Sequence, residues 1–126
     1  VEVIKRRDAY EDGHGGVMRT WRQLDGRLRN QNIAARAALP KLKTPNVVLH
    51  DCAALCLALG SDGLRGELTL LRAARALAAF EGAAAVKRSH LRRVAPMALS
   101  HRLRRDPLDE AGSAARVGRT LAEVLP

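Results

Sequence analysis

Aromatic residues are nearly missing from this 126-residue chain: Tyr10, Trp21 and Phe80 are the only ones. No stretch alternates β-branched residues with polar ones for long enough to make a half-buried strand. Helix packed on helix is therefore expected rather than a β-sandwich, and any core must be made of small aliphatic side chains. Cysteine is just as scarce. Cys52 and Cys56 stand four apart, which is neither a CxxC pair nor half of a zinc pattern, and two cysteines cannot make a disulfide framework. They read as small core residues of a protein kept in a reducing compartment. There is no secretory leader and no apolar run of membrane length, so stable membrane insertion is not expected. The chain also lacks an initiator Met and begins abruptly at Val1-Glu2-Val3-Ile4, which reads as a piece of something longer.

What is present is helix former and positive charge. Hydrophobic residues make up 47% of the chain, dominated by Ala, Leu and Val, and this composition favours helix packed on helix. The expectation is an all-α fold, a small bundle of four to five helices. Lys and Arg number 22 against 13 Asp and Glu, a net charge of +9, and arginine accounts for most of the excess. Such a surface suits an anionic partner: nucleic acid, nucleotide phosphate, an acidic protein face or a membrane face. Arginine in particular fits phosphate or carboxylate through its planar fork of donors. An Ala- and Arg-rich genome and a soluble surface would account for many of these residues equally well.

Punctuation divides the chain. "VEVIKRRDAYE" reads as a short helix that the glycines of "DGHGG" break. A second helix is expected over about residues 17–39, with Met18, Trp21, Leu24, Leu28 and Ala35 as apolar positions and Pro40 closing it. "PKLKTP" is a linker. A third helix covers about 46–59, where Leu49, Cys52, Ala53, Cys56 and Leu59 form a stripe and Gly60 ends it. A fourth starts after a Ser61 or Asp62 cap and runs to Phe80, ahead of Gly82. The fifth spans about 87–103, with Pro96 expected to kink or interrupt it. "SAARVGRTLAEVL" forms a short last helix.

The fourth helix carries the most specific signal. It opens with "GLRGE", which sets Arg65 between Gly63 and Gly66. On a helical wheel of about 100° per residue, Arg65 and Arg72 lie within about 20° of each other and Arg75 about 60° further round. Leu70, Leu71, Ala74, Leu77 and Ala78 take the opposite side. A helix start already holds about half a positive charge, so a cation there is mildly unfavourable unless an anion joins it. Gly63 and Gly66 give access and the helix start, and Arg65 supplies a charged fork: together they suit a phosphate. The bland reading is a turn glycine beside a solvated cation. Arg104 and Arg105, in "HRLRRDP", fit either the negative end of the fifth helix or an interface. His90 and His101 lack a third ligand, so no metal site is expected.

"DCAALCLALGSDGLRGELTLLRAARALAAFEG" followed by "HLRRVAPMALSHRLRRDPLDEAGS" closely resembles the C-terminal helical domain of the small ATPase subunits of magnesium chelatase, nearest to those of bacteriochlorophyll-making bacteria. The likeness is strongest over about residues 46–112 and weakest over 13–30. It implies a single AAA+ lid domain: residues 1–16 leading in from a nucleotide-binding domain, 17–105 the bundle, 106–126 a C-terminal extension. It implies that Arg65 is the sensor 2 arginine that reaches the γ-phosphate of ATP, either its own subunit's or, with the lid displaced in this branch, a neighbouring subunit's. ATP and Mg²⁺ would belong to the complete subunit and not to this stretch alone, which has no GxxxxGK[ST] loop. The implied partners are copies of the subunit in a ring, expected to be a hexamer, a middle AAA+ subunit and a large porphyrin-binding subunit, all in the bacterial cytoplasm. Arg72, Arg75, Arg104 and Arg105 are interface candidates. Two other readings stand beside this one. A nucleic-acid module is disfavoured by dispersed arginines and few stacking aromatics, and a purely structural assembly domain would use the same arginines on acidic side chains.

Overall fold

A computed structural model describes residues 1–61, 64–103 and 112–125. Among these, six α-helices follow in order: α1 Glu2–Asp12, α2 His14–Ala38, α3 Asn46–Ala58, α4 Leu64–Phe80, α5 Arg88–Leu99 and α6 Gly112–Val124. Single 3₁₀ turns follow α2 (Leu39–Lys41) and α5 (Ser100–Arg102). The all-α expectation holds.

Two compact units divide at Ala34/Ala35. The second, from Ala35 onward, holds every buried side chain among the described residues: Leu55, Leu70, Leu91, Leu99 and Leu125 are fully enclosed, with Val48, Cys52, Cys56, Ala74, Ala78, Val86 and Val117 around them. Small residues let α4 and α5 approach closely, with Ala74 and Ala78 meeting a layer of Leu and Val. Among the described residues the first buried side chain is Ala35, and α6 contributes Val117, Leu121 and Leu125 to the same core.

Two helix ends follow from glycine. Gly60 (φ 64°) and Gly82 (φ 69°) take the left-handed conformation that side chains resist. Ser61 N–H then reaches back to Cys56 O at 3.0 Å, and Ala83 N–H to Ala78 O at 2.9 Å, the six-to-one bond that closes a helix C-terminus.

Three local expectations are corrected. The break at "DGHGG" is one residue, Gly13; α2 begins at His14 and runs through Gly15 and Gly16. Glycines cost little in a first turn, and a helix of 25 residues recovers that cost by propagation. On α3 the buried stripe is Val48, Cys52, Leu55 and Cys56, while Leu49 and Ala53 face solvent. The helix is apolar nearly all round, so periodicity left its inner face undecided. Pro96 does not interrupt α5, which continues to Leu99. Buried Leu91, Val94 and Ala95 before the ring and Ala98 and Leu99 after it hold the helix in place despite the missing N–H.

Candidate functional site

Arg65 lies in the first turn of α4, exposed, and its guanidinium has no hydrogen bond or ion pair among the described residues. Its carbonyl accepts from Thr69 Oγ1 at 2.8 Å, an ordinary bond to the next turn. On the opposite face, Leu70, Ala74 and Ala78 anchor α4 in the core. The arginine is therefore an exposed fork, unpartnered among the described residues, on a core-anchored helix.

Gly66 is buried on the opposite side. A Cβ there would stand 2.2 Å from Ser61 Oγ and 3.3 Å from Ser61 Cβ, with Cys56 Sγ at 3.9 Å. Its bareness lets the start of α4 lie against the end of α3, so the room it makes faces inward, away from Arg65's exposed side. Gly63, Asp62, Arg104 and Arg105 lie outside the described residues. Beneath this joint, Cys52 and Cys56 are buried free thiols, and Cys52 Sγ donates to Glu67 O at 3.5 Å. The hydrogen bond with Cys56, with burial behind it, pushes the Cys52 thiol well above its usual range, so it stays protonated.

The arginines of α4 have different settings. Arg72 is exposed and, like Arg65, has no partner among the described residues. Arg75 is half-buried and engaged within the chain: Nη1 donates to Thr44 Oγ1 and Nη2 to Leu39 O, each at 3.0 Å. The geometry thus separates Arg75 from the two cations that face outward.

Sequence reasoning overlooked the polar contacts around His90, Arg88 and Arg116. His90, considered only as a weak metal ligand, is buried and has both ring nitrogens occupied. Its Nδ1 accepts from Lys87 N–H at 2.9 Å, which leaves Nε2 to donate to Glu81 Oε2 at 3.2 Å. Glu81 also accepts from Arg93, and that bond, ahead of the charge of Arg93 and the hydrogen bond from His90, holds its carboxyl below the usual range. Arg88 grips Asp51 with two bonds, 2.7 and 2.9 Å, tying the start of α5 to α3. Arg116 of α6 donates to Leu59 O at 3.4 Å. A histidine three residues after a break is a faint capping signal; the long-range pairs leave no local pattern.

A family model described as the AAA lid domain matches residues 49–121, more than half of the chain. The chain belongs to the AAA lid domain family. It is 75% identical over its whole length to the magnesium-chelatase 38 kDa subunit of Cereibacter sphaeroides, covering 38% of that protein. Identity to the protein of the same name from Rhodobacter capsulatus is 68%, again over the whole chain and 36% of the relative. Among solved structures it is similar to a chain in the complex between subunits BchI and BchD of magnesium chelatase, based on a single-particle cryo-EM reconstruction. That match has 58% identity and a TM-score of 0.51, and it covers 99% of this chain and 35% of the other. The lid therefore spans somewhat over a third of the curated relatives' length. Within the lid, the family match takes in the α3–α4 joint, Arg65, Arg75 and most of α6, while Leu39 and Thr44, the partners of Arg75, precede it.

Proposed function

We propose that this chain is the nucleotide-sensing lid of the ATPase subunit of a magnesium chelatase, and that Arg65 reports the γ-phosphate of ATP. The whole enzyme would use ATP to drive insertion of Mg²⁺ into protoporphyrin IX on the way to (bacterio)chlorophyll. The observation that carries the sensor assignment is Arg65 itself: an exposed guanidinium in the first turn of a core-anchored helix, with no partner among the described residues, in a lid whose relatives are named as chelatase subunits. A phosphate suits that position, because the free N–H groups of the helix start and the guanidinium fork both favour an anion.

In this reading the phosphate loop and the groups that hold Mg²⁺ with ATP come from a preceding nucleotide-binding domain. Arg65 donates to the γ-phosphate, of a neighbouring subunit's ATP in a ring of six, and offsets charge that builds on the phosphoryl oxygens during transfer. Hydrolysis removes its partner and releases α4. Because Leu70, Ala74 and Ala78 fix α4 in the core, the release moves the bundle and not the side chain alone. A middle AAA+ subunit and a large porphyrin-binding subunit would receive that movement in the cytoplasm. Arg72, exposed two turns along the same face, suits an acidic side chain of an adjoining subunit.

The test uses the full-length subunit with Arg65→Ala. ATP turnover is expected to fall at least tenfold, about 1.4 kcal/mol in the barrier, while ring assembly survives. Unchanged turnover with intact assembly rejects the sensor; loss of the ring points to a purely structural arginine.

A further inference from the structure

The segment between α2 and α3 is not a free connection. Residues 39–45 are pinned at three places. Arg75 holds Leu39 O and Thr44 Oγ1, both at 3.0 Å. Lys43 pairs with the α4–α5 connection, accepting from Val86 N–H at 2.9 Å and donating to Ala84 O at 3.4 Å. Between them Leu42 is buried in the core. The main-chain pairing and Leu42 would hold the segment whatever α4 does. Arg75 differs, since its side chain supplies the directional link to α4: beside the apolar packing of Leu39 and Leu42, it ties the segment to that helix by hydrogen bonds, ten residues along from Arg65.

We propose that Arg75 is a positioning residue that transmits movement of α4 to the 39–45 segment, so that this stretch responds to the nucleotide that Arg65 senses. The chemistry suits a coupler. One planar guanidinium bridges a carbonyl and a hydroxyl five residues apart, and its rigid fork passes on displacement that a flexible lysine would absorb. Its half-buried setting limits competition from water, so the two bonds persist through small movements of the helix. The proposal rests on the Arg65 reading only for its trigger.

Hydrogen exchange on the full-length subunit, saturated with ATP analogue or with ADP, tests it. In the parent protein, peptides covering 39–45 and 64–72 are both expected to exchange several-fold faster with ADP. In Arg75→Lys and Thr44→Val, chosen to keep the fold, the difference at 39–45 should fall below about twofold while that at 64–72 remains. A nucleotide difference at 39–45 that survives both substitutions overturns the proposal, as does a parent protein with no difference there. A uniform rise at 39–45 with either nucleotide, the parental difference kept, marks Arg75 as merely structural and also overturns it. Arg65→Ala is read separately: if 64–72 still responds, the sensor reading fails, whatever Arg75 does.

Discussion

Residues 1–34 and the unit that follows them are both helical, yet for different reasons. In the first stretch no described side chain is buried: Trp21, Leu24, Leu28 and Ile33 are 41–60% exposed although they sit on a long regular helix. What supports helix there is local. Glu2 pairs with Arg6 and Glu11 with Arg7 at four-residue spacing, 3.0 and 2.9 Å; beyond these, Arg6 of α1 lies 5.6 Å over the Trp21 ring of α2. From Ala35 onward, helices hold because they enclose one another, and polar side chains add cross-links between elements distant in sequence: Asp51 with Arg88, Arg75 with Leu39 and Thr44, Arg116 with Leu59. The same residue types give a helix in both places, but a unique arrangement only where a core exists.

That contrast can be broken most directly by truncating leucines. Leu70→Ala, at a position with no exposed surface, is expected to cost about 2–5 kcal/mol in urea unfolding, against about 0.5 kcal/mol or less for Leu28→Ala. Equal costs would mean that residues 1–34 share in a core. Next in size comes the α3–α4 joint. Gly66→Val should lose about 1–3 kcal/mol, since branched carbons would press on Ser61, and Ser61→Gly should restore part of the loss if that contact is the cause.

Acid sharpens the comparison further. The folded state holds Glu81 below its ordinary range, so the unfolded chain takes up the proton first as pH falls. The stabilisation from Arg93 and His90 is then complete above the unfolded value, about 4.3, and is lost as pH drops from there through the lower folded value. Glu81→Gln should flatten the dependence of melting temperature on pH in that window; an unaltered slope would place acid sensitivity elsewhere. The smallest effect belongs to the surface pairs. Glu2→Gln should reduce helix content by circular dichroism only slightly, about 0.2–0.5 kcal/mol of local helix stability, and molar salt should erase the difference.

Helix existence was legible because Ala and Leu are plentiful, and helix ends were legible at Gly60 and Gly82 because only glycine takes that backbone cheaply. The inward face of α4 was legible too: Leu70, Ala74 and Ala78 recur on one side, with Arg65 opposite. The face of α3 was not, since its apolar residues surround it and the choice between Leu49 and Val48 was made by neighbouring helices. Nor did spacing along one helix separate Arg75 from Arg72, because Thr44 and Leu39 come from a segment over thirty residues away.

By itself, then, the sequence determined an all-helical, arginine-rich chain and singled out Arg65, since composition, glycine placement and a three-to-four residue period act locally. Only the tertiary structure decided that the core begins at Ala35, that α6 belongs to it, that Gly66 serves packing against Ser61 and that His90 locks the start of α5. Those outcomes depend on which surfaces meet, and burial and long-range hydrogen bonds are properties of the meeting, not of either strip of chain alone.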